Sequence, residues 1–136
     1  MRMSKRSQLA VTALVEVALR EGEGPVSLVA IQSRHNITKT RLEQIFSKLR
    51  QSHLVDSTIG PGGGYSLAME AEQISVADIV LAMEPSDTFL QVGEAASVSD
   101  RLWLQLNQKM MQDLQSISLK QLVNAQSLED AKQKQA

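Results

Sequence analysis

Thr38, Lys39, Thr40, Arg41, Glu43 and Gln44 fall within one short run and carry a dense set of directional hydrogen-bonding groups. A guanidinium presents a planar fork of donors, a primary amide sets donors beside an acceptor, and a carboxylate only accepts. Such groups match flat partners that display donors and acceptors along an edge, and the cations also match phosphates. Ser47, Lys48 and Arg50 prolong the polar run, and Arg2, Lys5 and Arg6 place three further cations at the N-terminus. At Gly60-Pro61-Gly62-Gly63 the main chain itself is open to close approach, because three of four residues lack a side chain. The sequence holds no cysteine, which removes thiolate nucleophiles, disulfides and thiolate metal sites together. His35 and His53 are its two histidines, too few for a metal site, and there is no nucleophile–base pairing. The reading is therefore of a non-enzyme with no metal and no cofactor. A nucleotide-binding phosphate loop is the alternative at the glycines, but no Lys-Ser/Thr follows them and a strand, not a helix, comes next.

These side chains need elements to aim them. From Ser7 to Arg20 the chain is apolar almost all round, which predicts a buried helix, ended by the breakers Gly22, Gly24 and Pro25. Ser27 is then an N-cap, and Leu28, Ile31 and His35 share one face of a short helix. A tight turn over His35-Asn36-Ile37 follows, with Asn36 expected in the left-handed conformation. Thr38 caps the next helix. Leu42, Ile45, Phe46 and Leu49 sit at i, i+3, i+4 and i+7, so the polar residues named above occupy the opposite side. Leu54–Ile59 and Tyr65–Leu67 read as two strands around the glycine turn.

Helix, short turn, helix with a polar outer face, then a glycine-tipped hairpin is the grammar of a winged helix-turn-helix, here over about residues 1–68. The fold class expected is mainly α with a small β-hairpin wing. The major groove of double-stranded DNA admits one helix, whose N-terminal residues reach base edges. Thr38, Lys39, Thr40, Arg41, Glu43 and Gln44 are then the base readers. Arg2, Lys5, Arg6, Ser47, Lys48 and Arg50 are the phosphate contacts, and Gly60, Pro61, Gly62 and Gly63 form a wing tip near the minor groove. Charge follows the same division: residues 1–65 hold nine Lys/Arg against five Asp/Glu, whereas residues 66–136 hold five against ten. The competing reading is a winged-helix adaptor that binds a protein through its acidic second half.

Beyond the wing, Ser75 and Asp78 resemble a capping box for a helix through Met83, with Pro85 as its stop. Ser86–Ser97 reads as a loop. A long helix over Val98–Ile117 carries Leu102, Trp103, Leu106, Met110, Leu114 and Ile117 as one stripe and Leu104 and Met111 on another face. Two apolar faces call for two neighbours, the chain's own domain and a second subunit, so the stripe is the expected homodimer interface. A last short helix carries Leu119, Leu122 and Val123, after which a polar tail frays. The expected organisation is a DNA-binding domain over 1–83, a loop over 84–97, dimerisation and terminal helices over 98–126, and a disordered tail over 127–136. No apolar run suffices to span a membrane, and a cytoplasmic protein is expected.

The runs Leu42-Glu43-Gln44-Ile45-Phe46-Ser47-Lys48-Leu49-Arg50 and Gly60-Pro61-Gly62-Gly63-Gly64-Tyr65, with Met1-Arg2-Met3-Ser4, Ala10–Ala13 and Gly24-Pro25-Val26, resemble the IscR-like family of winged-helix regulators. The resemblance covers most of residues 1–83 and resumes more weakly at Leu102-Trp103 and Ile117–Asn124. It implies a homodimeric regulator of bacterial transcription whose long helix crosses to the other subunit, with Glu43 and Gln44 at the base-reading surface. Cluster-binding members carry three cysteines and usually a histidine before that helix. Here the segment Phe89–Asp100 has neither, and Ser97 and Asp100 stand at the spacing of the last cysteine and the histidine. Hydroxyl and carboxylate are poor ligands for an iron–sulfur cluster, so no cluster of that kind is expected. A regulatory protein partner or a small molecule is left as the source of the signal. Ile59 stands where close relatives often have Arg, which predicts an altered site preference.

Overall fold

The structure, a computed structural model, describes residues 3–84 and 97–134. Arg2, Pro85 and residues 86–96 of the loop expected over Ser86–Ser97 lie outside them. Helix α1 spans Lys5–Leu19, opens on Ser4 with its hydroxyl accepting from the Ser7 amide, and is buried on most sides. Helix α2 (Leu28–Gln32) opens on Ser27, and α3 (Lys39–Gln51) opens on Thr38. Leu42, Ile45, Phe46 and Leu49 of α3 are fully buried against Ala10, Ala13 and Leu14 of α1 and Ile31 of α2. Asn36 does not adopt the left-handed conformation: among the described non-glycine residues only His53 has positive φ, at 60°. The chain reverses there, one residue past the Ser52 cap of α3, and the Leu54 amide returns to the Leu49 carbonyl at 3.0 Å. That is the common way for a helix to end, with His53 in the place usually given to glycine.

Strands β1 (Val55–Thr58) and β2 (Gly64–Leu67) pair antiparallel, Val55 opposite Leu67 and Thr58 opposite Gly64. The Gly63 amide donates to the Gly60 carbonyl at 2.9 Å, and Gly62 has φ 75°. With Pro61 before it, this is the pattern of a type II turn, whose third residue needs a positive φ. Gly64 is fixed by close approach, since a Cβ there would lie 2.2 Å from the Val26 carbonyl oxygen. Val26 and Tyr65 exchange both backbone hydrogen bonds, at 2.8 and 2.9 Å, which ties the segment before α2 to the hairpin.

Helix α4 (Val76–Met83) begins with the capping box expected of Ser75 and Asp78, both of its hydrogen bonds being formed. Helix α5 spans Val98–Gln115 and α6 spans Leu119–Lys134. Two corrections arise here. The long helix stops at Gln115, short of Ile117, whose carbonyl accepts from the Val76 amide at 2.8 Å and whose side chain packs on α4. The tail expected to fray from residue 127 is instead helical to Lys134. Polar contacts extend it where apolar ones run out: Asp130 accepts from Gln126 at 3.0 Å and pairs with Arg34 at 3.2 Å. Lys132 and Lys134 also suit the negative end of the helix dipole. Among the described residues no helix is long and apolar enough to cross a membrane.

Candidate nucleic-acid interface

The apolar periodicity of α3 determines what its other side presents. With four residues of that helix locked inside, Lys39, Thr40, Arg41, Glu43, Gln44, Ser47 and Arg50 are exposed, and Lys48 is half-buried. Thr38, also exposed, accepts from the Arg41 amide through its hydroxyl at 3.2 Å. The cap fixes where the helix starts and hence which residues lie at its tip. Lys39 and Glu43 approach to 3.9 Å across one turn, with side chains 70% and 54% exposed. A pair so open to solvent is weak and easily exchanged for another partner. Arg41 and Gln44 are both exposed and make no side-chain ion pair or hydrogen bond to another described residue.

Lys5 and Arg6 lie in the first turn of α1, exposed, and Arg6 lines one shallow groove together with Thr38, Thr40, Arg41 and Gln44. Residues more than thirty positions apart in sequence thus share one surface. The N-terminus of α1 is held to the end of α4: both Ser4 and Ser7 donate their hydroxyls to Glu84 Oε1, the latter at 2.8 Å. The Ser4 hydrogen bond is the main cause of the lowered pKa of the Glu84 carboxyl, helped by Ser7 and Arg6 and opposed by burial.

The wing is coupled to α3 through the Phe46 and Tyr65 rings, stacked with centroids 4.4 Å apart. Gly60, Pro61 and Gly62 are exposed at its tip and Gly63 is half-buried.

A buried ionic group was not anticipated. Glu16 is 2% exposed inside α1, with Oε1 3.0 Å from His35 Nε2 and 3.5 Å from Arg34 Nε. Arg20 stands 4.0 Å from its other oxygen. Arg34 continues to Asp130 of α6, whose carboxyl is held below its ordinary range chiefly by the Gln126 hydrogen bond. His35 is therefore a hydrogen-bonded partner of Glu16 and more than a packed helix end. The signal available in sequence was a glutamate in an otherwise apolar helix, a residue type rarely buried unless paired.

The stripe expected along α5 divides. Leu114 is buried against Val76, Ala77 and Val80 of α4, and Met110, Met111 and Ile117 pack partly on the same cluster. The reason is the Ile117–Val76 backbone bond, which draws the end of α5 onto α4. Leu102, Trp103 and Leu106 remain 50%, 53% and 45% exposed. At the start of α5, Ser97 is an N-cap whose hydroxyl accepts from the Asp100 amide at 3.0 Å. The two residues at the ligand spacing thus serve as a helix cap, and with no thiolate in the sequence the donor set does not fit an iron–sulfur cluster.

Comparison with known proteins identifies the family. Residues 3–125 match the family described as Rrf2, iron-dependent transcriptional regulator. The chain is 42% identical over 137 residues to the HTH-type transcriptional regulator IscR of Photorhabdus laumondii, with 96% of this chain and 84% of that protein covered. Against IscR of Xenorhabdus nematophila it is 41% identical, covering 99% and 87%. Among solved structures, B. subtilis CymR, the global cysteine regulator, superposes with a TM-score of 0.80 at 32% identity, over 92% of this chain and 98% of that one. T. potens IscR superposes at 0.76 with 34% identity, over 100% and 92%.

Proposed function

Since the chain belongs to the Rrf2 family and is a DNA-binding transcriptional regulator, we propose that it reads an operator as a homodimer in the bacterial cytoplasm. The tip of α3 enters the major groove, where Arg41 bonds guanine, Gln44 bonds adenine and Glu43 accepts from the cytosine amino group. Thr38, Lys39 and Thr40 complete the base-reading tip. Glu43 adds discrimination rather than affinity, since phosphates repel it. Lys5, Arg6, Ser47, Lys48 and Arg50 hold the phosphates, as does Arg2 ahead of them, and the wing tip from Gly60 to Gly63 follows the adjacent backbone. The second subunit joins through Leu102, Trp103 and Leu106, with Met110 at the edge of that contact.

The observation that carries this reading is the shared groove of Arg6, Thr38, Thr40, Arg41 and Gln44. It joins a backbone-binding cation to the base-reading side chains on one exposed surface. On this reading the signal comes from a regulatory protein partner or a small molecule in place of a cluster.

The test is duplex binding after selection from a randomised pool. A two-fold symmetric site is expected, with half-sites about one helical turn apart. Affinity should fall steeply with salt through counterion release. Gln44→Ala should cost about 1–3 kcal/mol and relax preference at one position per half-site. Equal loss on every sequence would remove the base-reading assignment.

A further inference from the structure

The wing differs from the rest of the interface in having no positive charge to offer. No Lys or Arg occurs between Arg50 and Arg101, and Asp56 is the only charged residue from Leu54 to Leu67. At its tip, immediately after the last paired residue Thr58, stands Ile59, 97% exposed. The tip is not loosely attached. The turn closes directly behind Ile59 through the Gly63–Gly60 hydrogen bond, and the Phe46–Tyr65 stack and the Leu54–Leu49 bond fix the hairpin to α3. Once α3 sits in its groove, the position of Ile59 is set.

We propose that Ile59 is a specificity-determining residue that makes an apolar contact in the minor groove and selects A·T pairs beneath the wing. This rests on the DNA-binding reading above. A wing without cations forms no ion pair with phosphates, and Asp56 is repelled by them, so beyond what its backbone amides bond, its favourable contribution comes from apolar surface. Isoleucine is among the side chains that wedge into minor grooves. The floor of that groove distinguishes A·T from G·C by one group, the guanine 2-amino donor. An aliphatic side chain over that donor strips its water and returns no acceptor, which penalises G·C. Over A·T it meets no donor.

The experiment compares wild type, Ile59→Ala and Gln44→Ala in duplex selection, followed by anisotropy titrations on the selected site. Wild type is expected to enrich A·T at a two-fold related pair of positions separate from those altered by Gln44→Ala. Placing G·C there should weaken binding about tenfold, the cost of one mismatched pair. Inosine·cytosine, which lacks the 2-amino group, should restore it. Ile59→Ala should erase that preference alone and leave the salt dependence unchanged, because no charge is altered. Ile59→Arg should steepen the salt dependence by about one ion per subunit. An Ile59→Ala protein that keeps the A·T preference, or inosine·cytosine as weak as G·C, would overturn the proposal. Gln44→Ala and Arg41→Ala binding every duplex as wild type does would overturn the parent reading, and this one with it. Ile59 touches so little of the fold that unchanged thermal melts are expected for both Ile59 variants.

Discussion

Helices α3 and α5 carry apolar stripes of similar composition, and the chain treats them differently. Leu42, Ile45, Phe46 and Leu49 of α3 are each 0% exposed, whereas Leu102, Trp103 and Leu106 of α5 are 50%, 53% and 45% exposed. The first stripe is closed by α1 and α2 of the same chain; among the described residues the second is closed where α5 meets α4, around Leu114. A helix whose apolar side is satisfied internally can present its polar side to a ligand without risk of rotating. One whose apolar side is left open is positioned to associate. On the proposed function the difference separates reading from pairing: the apolar side of α3 is packed within the single chain, and the exposed Leu102, Trp103 and Leu106 of α5 await a second copy.

The largest expected effect tests the closed side of this comparison. Phe46→Ala removes a fully buried ring and its stack on Tyr65, and should lower stability by about 3–5 kcal/mol. Urea denaturation reads the loss. Because the same ring couples the wing to α3, duplex binding should fail even at temperatures where helicity survives. The open side should respond otherwise. Trp103→Ala should leave the secondary structure of each chain intact and weaken self-association by about 2–4 kcal/mol, the range of an aromatic anchor at an interface centre. Sedimentation over a concentration series measures it. If Phe46→Ala and Trp103→Ala lower denaturation midpoints alike and neither changes the association state, α5 is not an interface and the contrast between the two helices disappears.

Much of this was legible in the sequence because it depends on local rules. The caps Ser27, Thr38 and Ser75 and the buried positions of α3 follow from residue type and spacing, and so does the turn at Pro61-Gly62. Most of the misses share one physical cause, long-range contacts that leave no periodic mark. Ile117 fits the stripe of α5 by spacing, yet its backbone bond to Val76 ends the helix first. The last turns of α6 look too polar to be ordered until Arg34, almost a hundred residues earlier, is seen to meet Asp130. His35 and Glu16 are nineteen positions apart, and only the packing of α2 on α1 reveals them as partners. Asn36 was the expected left-handed residue on propensity, but the sharp reversal lies at His53, where the strand must turn back from α3. Of the candidate site, the polar face of α3 was readable. Its junction with Arg6 was not, since the start of α1 is placed by Glu84 gripping Ser4 and Ser7.

That grip supplies the smallest effect, and it concerns how firmly the reading half holds its N-terminal cations. The Glu84 carboxyl titrates below its ordinary value of 4.5, mainly because Ser4 donates to its charged form. Folding therefore favours the ionised group. Its contribution is complete above pH 4.5 and drains away as the pH falls through the lowered value. Glu84→Gln removes the charge and should cost of order 0.5 kcal/mol near neutral pH, a figure kept low by solvent screening. The gap between wild type and variant, followed by thermal melts from pH 7 downward, should close on acidification and stay constant on the alkaline side. A gap that widens in acid would mean that Glu84 is strained as an anion and that something other than this carboxylate orders the first turn of α1. A gap that closes as expected, with phosphate affinity reduced in Glu84→Gln at pH 7, ties the placement of Lys5 and Arg6 to the end of α4.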